Sequence, residues 1–376
     1  MPKIIIHGST VGSNFGDCLF AELFYNECKK NNKGKTLFYE NKLPVKNEVV
    51  ALSEHFKKAM NYTDKCTFKD VRSCDGMIFM AGGYFGETTT SLKEALLRYY
   101  KHVKLGLYAI WFKKPLAIIG VGAGPISHNF LVKGIKKVFN HASVISVRND
   151  ESKDFLEKIG VNKKIYVTAD AAQIVSKENA QPLDEKTQKE IEKNCGTEKI
   201  VILHCSLSAV QIKIMEEKII PGLNKFLDKH KDFGVVLTVD QYSTGRKTEL
   251  DEIAKKLNTD KTYVYQYENP QKMINLINYA DFVITSKLHV GIVSCSLSKP
   301  VASFPFNSKK IERYYKQIGE SERCRPIKNV SADEAGEVIE RFYDKPVVLS
   351  QEILDAAKLN YDLMNKFIRS LDKKEK

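Results

Sequence analysis

Short apolar runs alternate with segments of helical spacing along almost the whole chain, and this alternation restricts the fold more than any other feature. The runs are nearly continuous in apolar residues, which is typical of parallel strands covered by helices on both faces. Segments such as Asp17–Lys30 and Leu92–Phe112 have the spacing of helices. The pattern therefore predicts a doubly wound α/β domain. Its predicted strands are Lys3–His7, Thr36–Tyr39, Gly76–Met80, Pro115–Val121, Ser143–Val147 and Lys164–Val167.

The segment Lys177–Glu198 interrupts this pattern because it is polar and charged, and we interpret it as an interdomain linker or boundary helix. The alternation then resumes, which predicts a second α/β domain of the same class. The last segment, Ser350–Lys376, carries one apolar stripe and predicts a terminal amphipathic helix. The strands predicted for the second domain are Lys199–His204, Gly234–Val239, Thr262–Tyr265, Asp281–Thr285 and Pro300–Phe304.

The length of 376 residues is more than one domain usually holds. We therefore expect two tandem Rossmann-like domains, at residues 1–178 and 196–330, followed by a helical extension at 331–376. Two such domains place a ligand in the cleft between the carboxyl ends of their strands.

The net charge of +13 is compatible with nucleic acid, an anionic membrane surface or a phosphorylated small substrate as partner. Much of the excess lies in scattered Lys-Lys pairs, which are typical of solvated helix faces. Because no basic-aromatic motif or nucleic-acid-binding module is present, we expect no nucleic-acid partner. The sequence shows no signal peptide and no membrane span, and the eight cysteines form no C-x-x-C pair. We expect a cytoplasmic protein with reduced thiols, at most peripheral to the inner face of the membrane.

Three glycine-rich segments follow predicted strands, and glycine lets a backbone turn tightly and approach a ligand closely. The first, Gly8–Asp17, precedes a helix whose free N–H groups could bind an anion. It matches neither G-x-G-x-x-G nor the P-loop pattern, so a plain strand–helix turn with Asp17 as helix cap is the alternative. Three such segments in one domain favour a shared ligand face. The residues concerned are Gly12, Asn14, Gly16, Asp17, Gly82, Gly83, Gly122 and Gly124.

Charged residues also stand at strand ends. Arg148 follows the strand Ser143–Val147 directly, and its guanidinium has the fork that suits a carboxylate or phosphate. The alternative is an ion pair with Asp150 or Glu151 that fixes the loop. Asp170 also lies at a strand end, and it could be either a helix cap or a catalytic acid.

The strongest local feature is Ser286-Lys287-Leu288-His289, which lies between an apolar strand and an apolar helix rich in small residues. A cation and an imidazole therefore stand at a helix start, whose positive end already favours anions. A lone histidine at a helix start is more often structural, but Lys287 beside it favours function. His204 ends the strand Lys199–His204 and could reach the same cleft. Asp240, Tyr242 and Arg246 lie beyond the next strand and could bind polar groups. No metal-ligand spacing and no nucleophile elbow is present.

Taken in order, these segments resemble the polysaccharide pyruvyl transferase family. The family's G-x-N-x-G-D pattern is similar to Gly12–Asp17, its G-G-x-x-G pattern to Gly82–Gly86, and its G-x-G-x-G-P pattern to Gly120–Pro125. Its I-S-V-R segment matches from Ile145, its T-A-D-x-A segment from Thr168, and its D-x-V-I-x-x-R-L-H segment resembles Asp281–His289. The matches run from about residue 8 to about residue 306.

This resemblance implies a two-domain fold similar to GT-B glycosyltransferases, with phosphoenolpyruvate as donor, a sugar of a polysaccharide, glycan or lipid-linked precursor as acceptor, and no cofactor. The reaction forms a pyruvate ketal on two sugar hydroxyls and releases phosphate. By the same resemblance, His289 is the general acid that protonates the enol methylene. Arg148 and Lys287 hold the donor's carboxylate and phosphate, and Leu288 lines the site. Asp170, His204 and Asp240 are candidates for the acceptor side.

The chain departs from the family at position 287, where Lys stands in place of the usual Arg. Lysine keeps the charge but loses the bidentate fork. Two alternatives therefore stay open: a GT-B glycosyltransferase that uses a nucleotide sugar, and an inactive sugar- or anion-binding homologue.

Overall fold

The computed structural model describes residues 1–9, 14–39, 61–63, 65–86, 91–178, 180–196, 199–205, 208–241, 247–306 and 308–372. The chain forms two compact units. The first comprises Met1–Ser13, Asp17–Ala171 and Glu352–Lys376, and the second comprises Asn14–Gly16 and Ala172–Gln351. The boundary between the units lies at Ala171 and Ala172, whereas the sequence predicted it between residues 178 and 196. The residues expected as a separate C-terminal extension belong to the two units.

The first unit is built on a parallel sheet. Its strands run in the order β3-β2-β1-β4-β6-β7-β8, and β5 pairs with β6. The chain order reverses beside β1, where Ile5 pairs with Leu37 on one side and with Met77 on the other. All six predicted strands are confirmed, and β3 and β5 are additions. The strands are β1 Ile4–His7, β2 Thr36–Tyr39, β3 Tyr62–Thr63, β4 Gly76–Phe79, β5 Gly82–Phe85, β6 Leu116–Ala123, β7 Val144–Val147 and β8 Tyr166–Val167.

Helices of the first unit pack on this sheet around a core of aliphatic and aromatic side chains. The segment predicted as one helix at Leu92–Phe112 contains a π-helical turn at Tyr99–Val103. The described helices of this unit are α1 Phe15–Asn31, α2 Phe68–Ser73, α3 Leu92–Arg98, α4 Lys104–Trp111, α5 Asn129–His141, α6 Asp150–Lys158 and α14 Gln351–Asp372.

Two of the three predicted glycine loops are wrong in part, because most of their glycines lie in strands and only Gly86 and Gly124 follow them. Gly82 and Gly83 begin β5, and Gly122 lies inside β6. The pairing of β6 with β7 shifts register between Ile118 and Val121, and Gly120 there has φ +67°. Glycine adopts this conformation without strain, so the irregular strand continues where a loop was expected.

The second unit repeats the architecture with a parallel sheet in the order β11-β10-β9-β12-β13. All five predicted strands are confirmed. They are β9 Lys199–His204, β10 Phe233–Thr238, β11 Thr262–Val264, β12 Phe282–Thr285 and β13 Val301–Ser303. The described helices are α7 Glu185–Cys195, α8 Ala209–Lys229, α9 Lys247–Ala254, α10 Pro270–Tyr279, α11 Leu288–Ser296, α12 Ser308–Gln317 and α13 Ala332–Phe342.

Of the two interpretations of Lys177–Glu198, the boundary helix is the one that the structure shows, since the segment contains α7 of the second unit. Asp184 caps its start by accepting from the Thr187 N–H, and Gly196 ends it in the left-handed conformation. The residues expected as an extension divide between the units. Helix α13 packs on α8, where a side chain on Gly222 would lie 2.7 Å from the Gly336 nitrogen. Helix α14 belongs to the first unit because its buried face carries Met364, Phe367 and other core side chains.

Candidate functional site

Arg148 lies at the end of β7, beside the glycine of the neighbouring strand. A side chain on Gly122 would lie 3.0 Å from Arg148 Nε, so the missing side chain leaves room for the guanidinium. Arg148 Nη1 lies 3.4 Å from Asp170 Oδ2, and only 12% and 6% of these two side chains are exposed. The structure therefore brings Arg148, Gly122 and Asp170 together. The carboxylate that pairs with Arg148 is Asp170 and not a neighbour in its own loop.

Two serines of the same motif fix the strand β6 beside Arg148. The Ser146 hydroxyl accepts from the Gly120 N–H, and the Ser152 hydroxyl accepts from the Ala123 N–H. Ser152 in turn donates to Asn149 Oδ1, and Asn149 caps helix α6. The serines of this motif therefore hold the irregular strand in place, and Arg148 is left as its candidate for binding a ligand.

Asn360, on the last helix, is a structural residue that sequence reasoning missed. It is fully buried, and its Oδ1 accepts from the hydroxyls of Ser146 and Thr168. Its Nδ2 donates to the carbonyls of Ala169 and Ala357. A polar residue within an apolar stripe was the available signal, because a buried amide is stable only when it is hydrogen-bonded.

The other glycines of this unit allow close packing. A side chain on Gly86 would lie 2.7 Å from the Gly124 carbonyl oxygen. Gly124 has φ +69° and precedes Pro125 through a cis peptide bond. A side chain on Gly82 would lie 2.6 Å from the Tyr84 ring, while Gly83 is a partly buried residue of β5. These contacts explain the glycines by packing, without a ligand.

A buried cluster of aromatic and imidazole rings surrounds His7, the last residue of β1. His7 Nδ1 lies 2.9 Å from the Tyr39 carbonyl, and its Nε2 lies 2.9 Å from His102 Nδ1. Burial lowers the pKa of His7 to about 4 and that of His102 well below its usual range. Burial, followed by the charge of Asp17, raises the pKa of Tyr84.

Asp17 itself is the third residue of α1, so its interpretation as the helix cap is wrong.

In the second unit, Ser286-Lys287-Leu288-His289 follows β12 and starts α11, beside the point where the strand order reverses. Lys287 is the residue before the helix, and its N–H donates to Thr285 Oγ1. Ser286 is only 8% exposed, and its buried hydroxyl has no hydrogen-bond partner among the described residues. Lys287, Leu288 and His289 are partly buried. The segment thus presents a cation, an imidazole and an unsatisfied hydroxyl at a helix N-terminus, where anions are favoured.

Asp240 lies between Lys287 and His204. Its Oδ1 is 3.5 Å from Lys287 Nζ and 3.7 Å from His204 Nε2. His204 is 1% exposed, and neither ring nitrogen forms a hydrogen bond with a described residue. Burial lowers the pKa of His204 to about 4 although Asp240 opposes this, so the ring is neutral at pH 7. The structure therefore joins three residues that the sequence placed at separate strand ends.

Residues of the first glycine motif also belong to this group, since Asn14–Gly16 are part of the second unit. The Phe15 N–H donates to the Asp240 carbonyl at 2.7 Å, and Asn14 forms an isolated bridge with Gln241. A side chain on Gly16 would lie 2.5 Å from His289 Cε1 and closer still to Nδ1 and Cγ. The imidazole of His289 therefore rests on the bare Cα of Gly16. Gly12 of this motif, Tyr242 and Arg246 lie outside the described residues.

A cavity of about 540 Å³ adjoins this segment. Its cationic lining is Lys287, Lys310 and Lys328, and no acidic side chain lines it among the described residues. Leu288 and Phe306 are part of its apolar wall. Ser208, which caps helix α8, and Ser286 add hydroxyls. The cavity suits an anion that also has an apolar part.

Two searches for other kinds of site gave negative results over the described ranges. No three His, Cys, Asp or Glu side chains there are arranged to hold a metal ion. No helix there is long and apolar enough to cross a membrane. All eight cysteines are buried and free.

Comparison with known proteins gives one family match. The family model described as polysaccharide pyruvyl transferase matches residues 4–308. This range includes Arg148, the Asp240 group and Ser286–His289. A search of the curated proteins found no match.

Solved structures of similar fold cover nearly the whole chain. UDP-GlcNAc 2-epimerase from Methanocaldococcus jannaschii is 12% identical, with a TM-score of 0.63 over 97% of this chain and 99% of that one. MnaA from S. aureus, solved with UDP, is 13% identical, with a TM-score of 0.62 over 99% and 97%. The epimerase from Neisseria meningitidis, bound to UDP-GlcNAc, is 13% identical, with a TM-score of 0.59 over 97% and 100%. At these identities the likeness shows the fold alone, which is GT-B-like.

Proposed function

This chain belongs to the polysaccharide pyruvyl transferase family and is a transferase of polysaccharide biosynthesis, and we propose that it transfers the pyruvyl group of phosphoenolpyruvate to a saccharide. The observation that carries the proposal is the segment Ser286–His289. It sets Lys287 and His289 at the start of α11, beside a cavity whose charged lining is cationic. Phosphoenolpyruvate carries a carboxylate and a phosphate, which such a lining favours.

In the proposed reaction His289 donates a proton to the methylene carbon of the enol. The carbon that bears the carboxylate then becomes oxocarbenium-like, and a sugar hydroxyl attacks it. A second hydroxyl of the sugar closes the ketal, and the C–O bond to phosphate breaks. Of the two hydroxyl protons, one replaces the proton that His289 gave to the methyl group, and the other leaves with phosphate. A general acid must be held within hydrogen-bond reach of the atom that it protonates, so the contact between His289 and Gly16 matters.

We assign donor binding to Lys287, Leu288 and Arg148. Lys287 supplies a point charge at the helix N-terminus, and Asp240 at 3.5 Å fixes its direction. Leu288 forms part of the apolar wall of the cavity. The Arg148 guanidinium is buried with Asp170 in the first unit, and its fork suits a carboxylate or phosphate.

For the acceptor side we propose Asp240, His204 and Asp170. The Asp240 carboxylate can accept the proton of an attacking hydroxyl. The neutral His204 ring has two nitrogens without described partners, and such a buried group favours a ligand hydroxyl that would complete its hydrogen bonds. Because no metal or cofactor enters the proposed step, the protein's own residues supply its proton transfers and charges.

The test is phosphate release from phosphoenolpyruvate with a panel of galactosides, mannosides and N-acetylhexosaminides. We expect phosphate release that depends on one acceptor class and is slowed about a hundred- to ten-thousandfold in His289→Ala, because that variant lacks the general acid. Lys287→Ala should raise KM for the donor, and Lys287→Arg should preserve or lower it. Lys255→Ala, which removes an exposed ion pair with Glu252, is the matched control. It should leave the rate of phosphate release and KM for the donor unchanged.

A thermal shift separates the alternatives. Phosphoenolpyruvate should raise Tm, since a ligand that binds only the folded chain stabilises it. If UDP- or GDP-sugars raise Tm and phosphoenolpyruvate does not, the chain is a nucleotide-sugar enzyme and the donor proposal is wrong. Turnover that survives both His289→Ala and Lys287→Ala would contradict the assignment of this segment to catalysis.

A further inference from the structure

Exposed apolar side chains are concentrated on one region of the first unit. Leu92 and Leu96 on α3 are 57% and 53% exposed, and Trp111 at the end of α4 is 76% exposed. Phe68, on the neighbouring helix α2, is 43% exposed and packs edge-on against Tyr108 and Phe112. Large apolar groups this exposed are unusual on a helix that has a buried face, and a cluster of them marks an interaction surface.

The helical stretch that carries Leu92, Leu96 and Trp111 contains a π-helical turn at Tyr99–Val103, and this turn affects how the three side chains align. In a continuous α-helix, residues four apart drift about 40° around the axis at each step, because a turn takes about 3.6 residues. Between Leu92 and Trp111 a continuous α-helix would leave the two side chains about 100° apart around the axis. A π turn advances less per residue and reverses part of the drift. Lys104, the residue after this turn, has its Nζ 4.2 Å from the centre of the Tyr100 ring and 5.6 Å from that of the Tyr108 ring.

The same region is basic. Residues 91–114 contain six Lys or Arg and a single acidic residue, Glu94, which pairs with Arg98. Lys93, in the first turn of α3, and Lys113, shortly after the end of α4, are exposed. Apolar side chains with lysines beside them, and a tryptophan at one end, are the composition of helices that lie in the interface of a lipid bilayer.

We propose that the surface formed by Phe68, Leu92, Leu96, Lys104 and Trp111, here called the Leu-Trp face, docks on an anionic lipid bilayer. Leu and Trp enter the boundary between headgroups and acyl chains, while the lysines contact anionic headgroups. The charge complementarity favours a bilayer over a second copy of this chain, whose face would be equally basic. The inference does not depend on the reaction that the second unit carries out.

The test uses the single tryptophan of the chain as its probe, since Trp111 lies on the proposed surface. The full-length protein is titrated with vesicles of phosphatidylcholine alone and of phosphatidylcholine with phosphatidylglycerol. We expect a blue shift of the emission with anionic vesicles and at least tenfold weaker partition into neutral ones. Binding should also weaken as salt is raised, because the lysine contribution is screened.

The double variant Leu92→Glu/Leu96→Glu should lower partition into anionic vesicles at least tenfold. Val348→Glu is the matched control, because Val348 is 81% exposed in the second unit, and its partition should equal that of the wild type. Lys93→Gln/Lys113→Gln changes only exposed residues and provides a second test if the leucine variant does not fold; it should weaken binding severalfold.

Three outcomes would overturn the proposal. The first is the absence of a blue shift with anionic vesicles, and the second is equal binding to neutral and anionic vesicles. The third is a blue shift that grows with protein concentration when no vesicles are present. The last would assign the Leu-Trp face to self-association.

Discussion

The contact between Gly16 and His289 makes Gly16→Ala the most informative substitution in the second unit. An added methyl would lie 2.5 Å from His289 Cε1 and nearer to two other ring atoms. Ordinary contact between such atoms begins at about 3.5 Å, so the ring and the helix start must separate by about 1 Å or more. The imidazole would then leave the position from which, on the proposed function, it protonates the donor.

Two effects on stability oppose each other in this variant. Alanine is favoured over glycine within a helix by up to about 1 kcal/mol. Overpacking against the ring costs about 1–3 kcal/mol. The net loss of unfolding free energy should therefore be about 3 kcal/mol at most. A displacement of about 1 Å at a reacting group costs roughly a hundredfold in rate, which is about 2.7 kcal/mol of transition-state stabilisation.

The assay compares kcat/KM for phosphate release with the free energy of unfolding in urea. We expect Gly16→Ala to lose about a hundredfold in kcat/KM at a temperature where it stays fully folded. Gly319→Ala is the control, because an added side chain there meets no atom within 4 Å although φ is +77°. It should lose about 1 kcal/mol of stability and no activity. Wild-type kcat/KM in Gly16→Ala, with His289→Ala inactive, would refute the argument that this contact positions the ring.

Three further predictions concern buried polar groups. Asn360→Leu should lower the unfolding free energy by about 2–3 kcal/mol, because it removes the acceptor shared by the Ser146 and Thr168 hydroxyls and the donor to the Ala169 carbonyl; a loss under 1 kcal/mol in urea unfolding would contradict this. His204 has a folded pKa of about 4, below its usual 6.5, so protons bind the unfolded chain first as pH falls. Between pH 6.5 and 4 the unfolding free energy of the wild type should therefore drop by about 3 kcal/mol more than that of His204→Gln. Parallel pH profiles of unfolding free energy for the two proteins would exclude this effect of His204. Asp170→Asn should cost about 2–3 kcal/mol in thermal unfolding, since Arg148 stays buried without its counter-charge; an unchanged Tm would show that the ion pair is not stabilising.

The strands and their order in the chain could be predicted from the sequence, because each strand depends on the apolar character of its own few residues. The candidate segment Ser286–His289 could be found in the same way, as polar residues that follow an apolar strand. Where the backbone leaves regular geometry, the prediction failed. Gly82 and Gly122 indicated turns, but in the fold they allow strands to continue through close contacts and a shifted register.

The sequence by itself determined that two parallel α/β sheets form and that charged residues stand at the ends of their strands. Only the tertiary structure decided which of those residues meet. Asp240 lies against Lys287, Gly16 against His289, and Asn360 against Ser146. The partners in these contacts are 47, 273 and 214 positions apart. Local periodicity carries no information on such pairs, because they are set by how helices and strands pack once the apolar faces are buried.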